Sequence, residues 1–564
     1  MCKANDESQS LLLSSKPTEV EILDSTLREG SQARGVSFTL NSKIKVALEL
    51  DKIGVHIIEL GWPGSNPKDI ELFKAIKKYK LENSKTAAFT STKRKGIAAD
   101  KDPSLNAVLD SDSDLVVVFG KSWKQQCKTV LKLSPEENLN MISETITFFR
   151  KHGLDVIYDA EHFFDGYLED PEYAIQTIKT ADRCGASRVV LADTNGGMLP
   201  HQIVVVVRKI FNIVKKPLGA HMHNDSGNAV ANTLMAVLSG VIHVQVTVNG
   251  VGERVGNADL CQVLPNLELK LGIRALKSKL PIEQRLRGLF NLSNIVYEAS
   301  GISRNPYQPY VGLYAFTHKA GVHVDAITKD CRTYEHVSPE LVGNKREITV
   351  SDLSGRSTIV KKIAEELGVP LGKQQELVGS ILNDIKEMGL KDLELDNAEA
   401  TVYLILLKNL NLYREFFKVS EWMSVAEGSA DSSRAYGLTR VNVKGKIQVE
   451  GSEGVGPVNA IDIALRKTLL KNYPELKNVK LIDYKVVLPE ISRDTASIVR
   501  VLIEFTDGNS IWRTTATSKN VVEASISALV QGLDYYLQKS RSKNNDKLNP
   551  REDFYSIAKD FKFR

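Results

Sequence analysis

The sequence lacks the features that mark secreted, membrane-spanning or nucleic-acid-binding chains. Its 564 residues include only five cysteines, Cys2, Cys127, Cys184, Cys261 and Cys331, and none are closely spaced. That spacing excludes a disulfide framework and a Cys-type zinc site, and it fits a reducing, cytoplasmic compartment. No apolar run approaches the ~20 residues needed to span a bilayer, so no membrane partner is expected. The run "SLLLSS" is too short for a signal peptide, and Asp6 and Glu7 suit an organelle transit peptide poorly. Residues 1–20 therefore read as a loose extension. An excess of one charge is also missing. Lys+Arg is 74 and Asp+Glu is 69, leaving a net +5, too little over this length to argue for a nucleic-acid partner. Only residues 541–564 are locally basic, and they read as a solvated tail. The glycines of "NGVGERVG" come without a "GK[ST]" or dinucleotide fingerprint, so no phosphate loop is expected.

What is present is ordinary globular material, with 42% hydrophobic and 25% charged residues. Single cores stop growing near ~250–300 residues, so more than one domain is expected. From residue 21, short β-branched runs alternate with amphipathic stretches. The runs are "EILDST", "HIIELGW", "TAAFTS", "LVVVFG", "DVIYDAEHF", "SRVVLADT", "PLGAHMH" and "HVQVTVNG". After the first, Asn41 or Ser42 can cap a helix carrying Ile44, Ala47 and Leu48, stopped by Gly54. After the fourth, "SPEENLNMISETITFFRKHG" has a Ser cap, a Pro at the first position and a terminal Gly. Eight strand-then-helix units over residues 21–275 predict a (β/α)8 barrel, with a doubly wound open sheet as the alternative.

Barrel chemistry sits at the C-terminal ends of the strands. There the seventh run places His221 and His223 one residue apart. On a strand they share a face; on a helix they diverge by roughly 200°. A shared face allows a metal site, and the plainer alternative is two hydrogen-bonded histidines in a polar crevice. Other strand ends carry Asp24, Arg28 and Glu29; Asp159, Glu161 and His162; Asp193, Thr194 and Asn195; and Glu253, Arg254 and Asn257. So many ionisable groups on one rim favour the metal reading.

Residues 276–435 read as mainly helical linker subdomains, with His318 and His323 in "AFTHKAGVHVDAITKD". Residues 436–540 read as a sheet-then-helix unit repeated twice, including a hairpin with an Asp-Gly turn. No catalytic constellation falls there. The module is a binding or regulatory domain, or a plain dimerisation domain.

The motifs "LDSTLREGSQ", "HMHND" and "GVGERVGN", on strands one, seven and eight, resemble the metal-dependent acyl-CoA-condensing TIM barrels. That family includes 2-isopropylmalate, homocitrate and citramalate synthases, with 3-hydroxy-3-methylglutaryl-CoA lyase more distant. The resemblance extends through "THKAGVHVDA" and the C-terminal repeat. The strings "FGKSW", "DAEHFFDGY" and "YEHVSPELVGN" look most like the citramalate synthase branch.

The resemblance implies a Claisen-type condensation of acetyl-CoA with a small 2-oxo acid, pyruvate in that branch. It implies a divalent metal (Mg²⁺, Mn²⁺ or Zn²⁺) held by Glu29, His221 and His223, with Asn257 as a weaker fourth ligand. Many relatives have Asp where this chain has Glu29, and the longer arm should move the metal slightly. Arg28 would face the developing alkoxide, either held by or paired with Asp24. Thr194 would bind the 2-oxo acid's carboxylate, and Glu161 would sit beside the acetyl group. His323 is the candidate general base, with Tyr334 as a possible assistant. The implied assembly is a homodimer with His323 acting in trans, controlled by an amino-acid feedback inhibitor. The alternatives are a 2-isopropylmalate or homocitrate synthase and, further off, a C–C lyase on the same site. A metal-dependent hydrolase typically carries its HxH on the first strand, where this chain has Arg-Glu.

Overall fold

The computed structural model describes residues 16–349, 379, 381–385, 387, 395–428, 433–489, 497–508 and 510–543. Residues 1–15 of the expected loose extension 1–20, most of the linker from 350 to 394 and the tail from 544 lie outside them; within the extension's described end, Val20 is buried and its N–H donates to the Arg274 carbonyl at 2.8 Å. The chain divides into two compact units, one running to Phe316 and taking back Val337–Lys345, the other comprising Thr317–His336 and the rest.

The first unit is a closed barrel of eight parallel strands in sequence order. They are β1 (Glu21–Asp24), β2 (Ile57–Gly61), β3 (Lys85–Ser91) and β4 (Leu115–Lys121). β5 (Asp155–Glu161), β6 (Arg188–Asp193), β7 (Leu218–Met222) and β8 (His243–Val246) complete it, and β8 closes on β1 with Asp24 opposite Val246. The open-sheet alternative is thereby excluded. The strands read as continuous apolar runs because both faces are buried. Leu23, Ile57, Leu115, Val117, Ile157 and Val190 fill the barrel interior. Alternate residues such as Ile22, Ile58, Val116 and Val244 pack outward against the helices.

The helices begin and end on local chemistry. α1 (Leu40–Ile53) is capped by Thr39 in a capping box with Ser42, two or three residues earlier than Asn41 or Ser42 would place it. It stops at Gly54, whose φ of 93° suits a left-handed cap. α2 (Pro135–Lys151) starts from a Ser134–Glu137 capping box with Pro135 at its first position. The barrel's outer core continues past residue 275. Leu286, Leu289, Leu292 and Val296 bury into it, the last three on α3 (Leu289–Ser300).

The second unit contains β9 (Thr317–His318) paired in parallel with β10 (Glu347–Ile348), and α4 (Gly321–Lys329). After α5 (Glu399–Asn409) come two three-stranded antiparallel sheets. β11 (Phe417–Gly428), β12 (Ser433–Val443) and β13 (Lys446–Gly454) lead into α6 (Pro457–Asn472). β14 (Lys480–Val487), β15 (Val499–Thr506) and β16 (Ile511–Ser518) lead into α7 (Val521–Lys543). The doubled sheet-then-helix pattern is present, and Gly508 at φ 92° lies in the loop between β15 and β16. β11, however, falls in the stretch expected to be helical. A bulge between Val419 and Glu421 shifts the inward face from odd to even residues and breaks the alternation a strand would otherwise show.

Candidate active site

The chain turns sharply after β1. Arg28 and Glu29 both send their backbone N–H back to the Ser25 carbonyl, at 3.1 and 2.8 Å. This aims both side chains across the barrel mouth. Arg28 does not pair with Asp24, as the sequence had allowed. Asp24 is occupied by the backbone N–H and hydroxyl of Thr26, at 2.9 and 3.0 Å. The Arg28 Nε instead donates to Glu59 Oε2 at 2.6 Å, and its Nη1 donates to Glu29. Glu59 is fully buried on β2 and also accepts the Ser25 hydroxyl. The guanidinium carbon lies over the Phe89 ring, 3.7 Å from its centre. Burial works against the Arg28 charge, but Glu59 and Glu29 more than offset it and raise its pKa.

His221 and His223 do share a strand face. Their Nε2 atoms are 3.2 Å apart. Two imidazole nitrogens at right angles on one ion, each ~2.1 Å from it, would stand about 3 Å apart. Asn257 joins them through an antiparallel bridge to His223, with its Nδ2 at 3.3 Å from His221 Nε2. The glycines of "GVGERVGN" make this approach possible. A Cβ at Gly252 would strike the Asn257 amide, and one at Gly256 would strike the Gly250 carbonyl. Asn257 Oδ1 and His223 Nδ1 are buried without a hydrogen-bond partner. Burial lowers the pKa of His221, and burial with the neighbouring His221 takes His223 down to about 3. Both rings are therefore neutral at pH 7 with lone pairs to offer, as metal ligands require.

Glu29 stands slightly apart. Burial raises its carboxyl pKa, but Arg28 together with His221, His223 and Arg254 outweighs this and holds it low, with its Oε1 3.9 Å from His223 Nε2. As the side chains stand, no three His, Cys or acidic donors among the described residues close into a metal cage. The donor types and spacing nevertheless suit a divalent ion: two neutral imidazoles, one carboxylate and one amide around an open position.

Arg28, Glu29, His221 and His223 line a cavity of about 170 Å³ together with Asp159, Glu161, Thr194, Glu253 and Arg254. One wall is aromatic. Trp62 meets Phe89 and Phe119 edge-on, each at 5.5 Å, and those two stack at 5.0 Å. Glu161 pairs with Lys121 at 2.5 Å. Thr194 Oγ1 accepts the His162 N–H at 2.8 Å, which leaves its own proton to donate. His162 turns away with φ 55° and bonds Asp165 at 2.9 Å. Asp193 caps the following loop through the N–H groups of Gly197 and Met198.

His323 and Tyr334 belong to the second compact unit, where both are exposed and their rings stack at 4.1 Å. Sequence reasoning missed Glu59, Gln245 and the aromatic wall. A glutamate inside "HIIELGW" and a glutamine inside "HVQVTVNG" were the available signals, since polar residues in doubly buried strands need partners.

A parallel eight-stranded barrel with this rim matches the HMGL-like family over residues 19–291. Residues 310–392 match the homocitrate synthase post-HMGL domain-like family, and residues 397–537 the LeuA allosteric (dimerisation) domain. Two (R)-citramalate synthases are full-length relatives. That of Sulfolobus acidocaldarius is 49% identical over 94% of this chain and 99% of its own. That of Geobacter sulfurreducens is 45% identical over the same shares. A probable 2-isopropylmalate synthase of Archaeoglobus fulgidus is 31% identical over 94% of this chain and 100% of its own. The chain belongs to the (R)-citramalate synthase family. Among the described residues no helix is long and apolar enough to cross a membrane. Cys127, Cys184, Cys261 and Cys331 are free thiols.

Proposed function

We propose that the chain condenses acetyl-CoA with pyruvate and water to give (R)-citramalate and free CoA. The observation that carries this reading is the small rim cavity, where the Arg28 cation and the His221–His223 pair face the aromatic wall. Such a cavity offers fixed charge to an oxo acid's polar end and an aromatic wall to its alkyl end. Pyruvate has a methyl there, whereas 2-ketoisovalerate has a branched chain.

Glu29, His221, His223 and Asn257 would hold the divalent metal. A bound ion would supply Lewis-acid polarisation of the 2-oxo group. Arg28 stabilises the oxygen that gains charge as the carbon–carbon bond forms, and its clamp by Glu59 removes the cost of reorienting it. Thr194 donates its hydroxyl proton to the oxo acid's carboxylate. Glu161, paired with Lys121, positions the acetyl group. His323 takes the proton from the acetyl methyl group, with Tyr334 stacked against it, and acts on the barrel of the second subunit in a homodimer. The C-terminal sheets bind an amino-acid effector, isoleucine in this branch. Free-thiol release from acetyl-CoA, measured with pyruvate, 2-ketoisovalerate and 2-ketoglutarate, tests the assignment. Pyruvate should give the highest kcat/KM; a preference for 2-ketoisovalerate would reassign the chain to 2-isopropylmalate synthesis.

A further inference from the structure

His221 is held differently from His223. Its Nδ1 lies 2.8 Å from Gln245 Oε1, across the β7–β8 register that sets His221 opposite Gln245. The other end of that amide is fixed as well, because Gln245 Nε2 donates to Asp159 Oδ1 at 2.8 Å. Gln245, Asp159 and His221 are all buried. An amide oxygen only accepts, so the proton on His221 must sit on Nδ1. His223 has no such support, and its Nδ1 is buried without a partner.

We propose that Gln245 is a positioning residue for metal binding. Braced by Asp159, it locks His221 in the Nδ1–H tautomer and presents the Nε2 lone pair to a divalent cation. His221 is then the preorganised ligand, and His223 adjusts to the ion. This rests on the metal reading given above. Groups that orient a ligating histidine are typically worth 10–100-fold in metal affinity.

The test uses the full-length protein and Mn²⁺, with the free ion followed by electron paramagnetic resonance. Gln245→Leu should bind Mn²⁺ about 10–100-fold more weakly, with unchanged circular dichroism and elution volume. Gln245→Glu, whose carboxylate still accepts from Nδ1, should recover most of that loss, which a merely structural role would not produce. Gln245→Met, closer in shape, carries the same expectation as Gln245→Leu should the latter fail to fold. Native affinity in Gln245→Leu, or a Gln245→Glu protein as weak as Gln245→Leu, would overturn the role of Gln245. If the native chain itself bound no Mn²⁺, the metal reading would fall and this inference with it.

Discussion

The Nε of Arg28 donates to the Oε2 of Glu59 across 2.6 Å, inside a barrel where Glu59 has no solvent exposure. The strand-two carboxylate thus sets the direction of the strand-one cation. Glu59→Gln removes the charge and leaves only a neutral amide oxygen to accept from the guanidinium. We expect kcat to fall by about 10–100-fold, since one misaligned donor at a developing oxyanion costs that much or more. The KM for acetyl-CoA should not change. Steady-state kinetics of thiol release checks both, and an unchanged kcat would refute the role of the Glu59 charge in directing Arg28.

His223→Ala should abolish turnover while the barrel stays folded, because the side chain lies at the strand end and the core beneath it is intact. Chelation followed by readdition of Mg²⁺ or Mn²⁺ should switch activity off and on. Full activity after verified metal removal would refute the ligand set.

Mixing inactive His323→Ala subunits with inactive Glu29→Ala subunits should restore part of the activity if His323 serves a partner's barrel. A hybrid dimer would hold one intact composite site. Subunit exchange is confirmed separately by mass-tagged subunits, and no recovery after exchange would place His323 in cis or outside the reaction.

Isoleucine should inhibit in preference to leucine or lysine, through a coupling of about 1–3 kcal/mol. A cut near residue 430 would strip β12 from β11, so the informative truncation ends after Leu395, ahead of α5. That chain should lose the inhibition. Equal inhibition of both chains would move the effector site out of the C-terminal sheets.

Acid should destabilise the barrel from its N-terminal end. Burial lowers the His56 pKa to about 4, while its Nδ1 accepts the Ile22 N–H at 3.3 Å. Between pH 6.5 and 4 the unfolded chain takes a proton that the folded chain refuses, so stability falls as pH falls. Burial raises the Glu21 pKa, but His243 and Arg188 outweigh it and hold the group low, so its contribution is lost only below about pH 4.5. His56→Asn keeps an acceptor without the titration. It should recover about 1–2 kcal/mol of the loss between pH 7 and pH 5, discounted for partial exposure. Denaturant titrations at the two pH values measure this, and identical pH slopes would refute it.

The sequence by itself determined the barrel and most of its rim. Doubly buried strands leave continuous β-branched runs, and strand ends are local, so Arg28, Glu29, Thr194, His221 and His223 could be read from their positions in those runs. Period two alone put the histidine pair on one face. Only the tertiary structure decided what each group faces. Arg28 turned to Glu59, from a strand 31 residues away, rather than to nearby Asp24. Gln245 met His221 and Asp159 through the lateral order of β5, β7 and β8, where the separations of 24 and 86 residues leave no periodicity to read. The three-ring wall was likewise invisible, because Trp62, Phe89 and Phe119 come from three strand ends and meet only when the sheet closes. Local patterning selects the elements. Which buried charge pairs with which is settled across strands, where desolvation makes an unpaired partner costly and closure of the barrel brings the partners within reach.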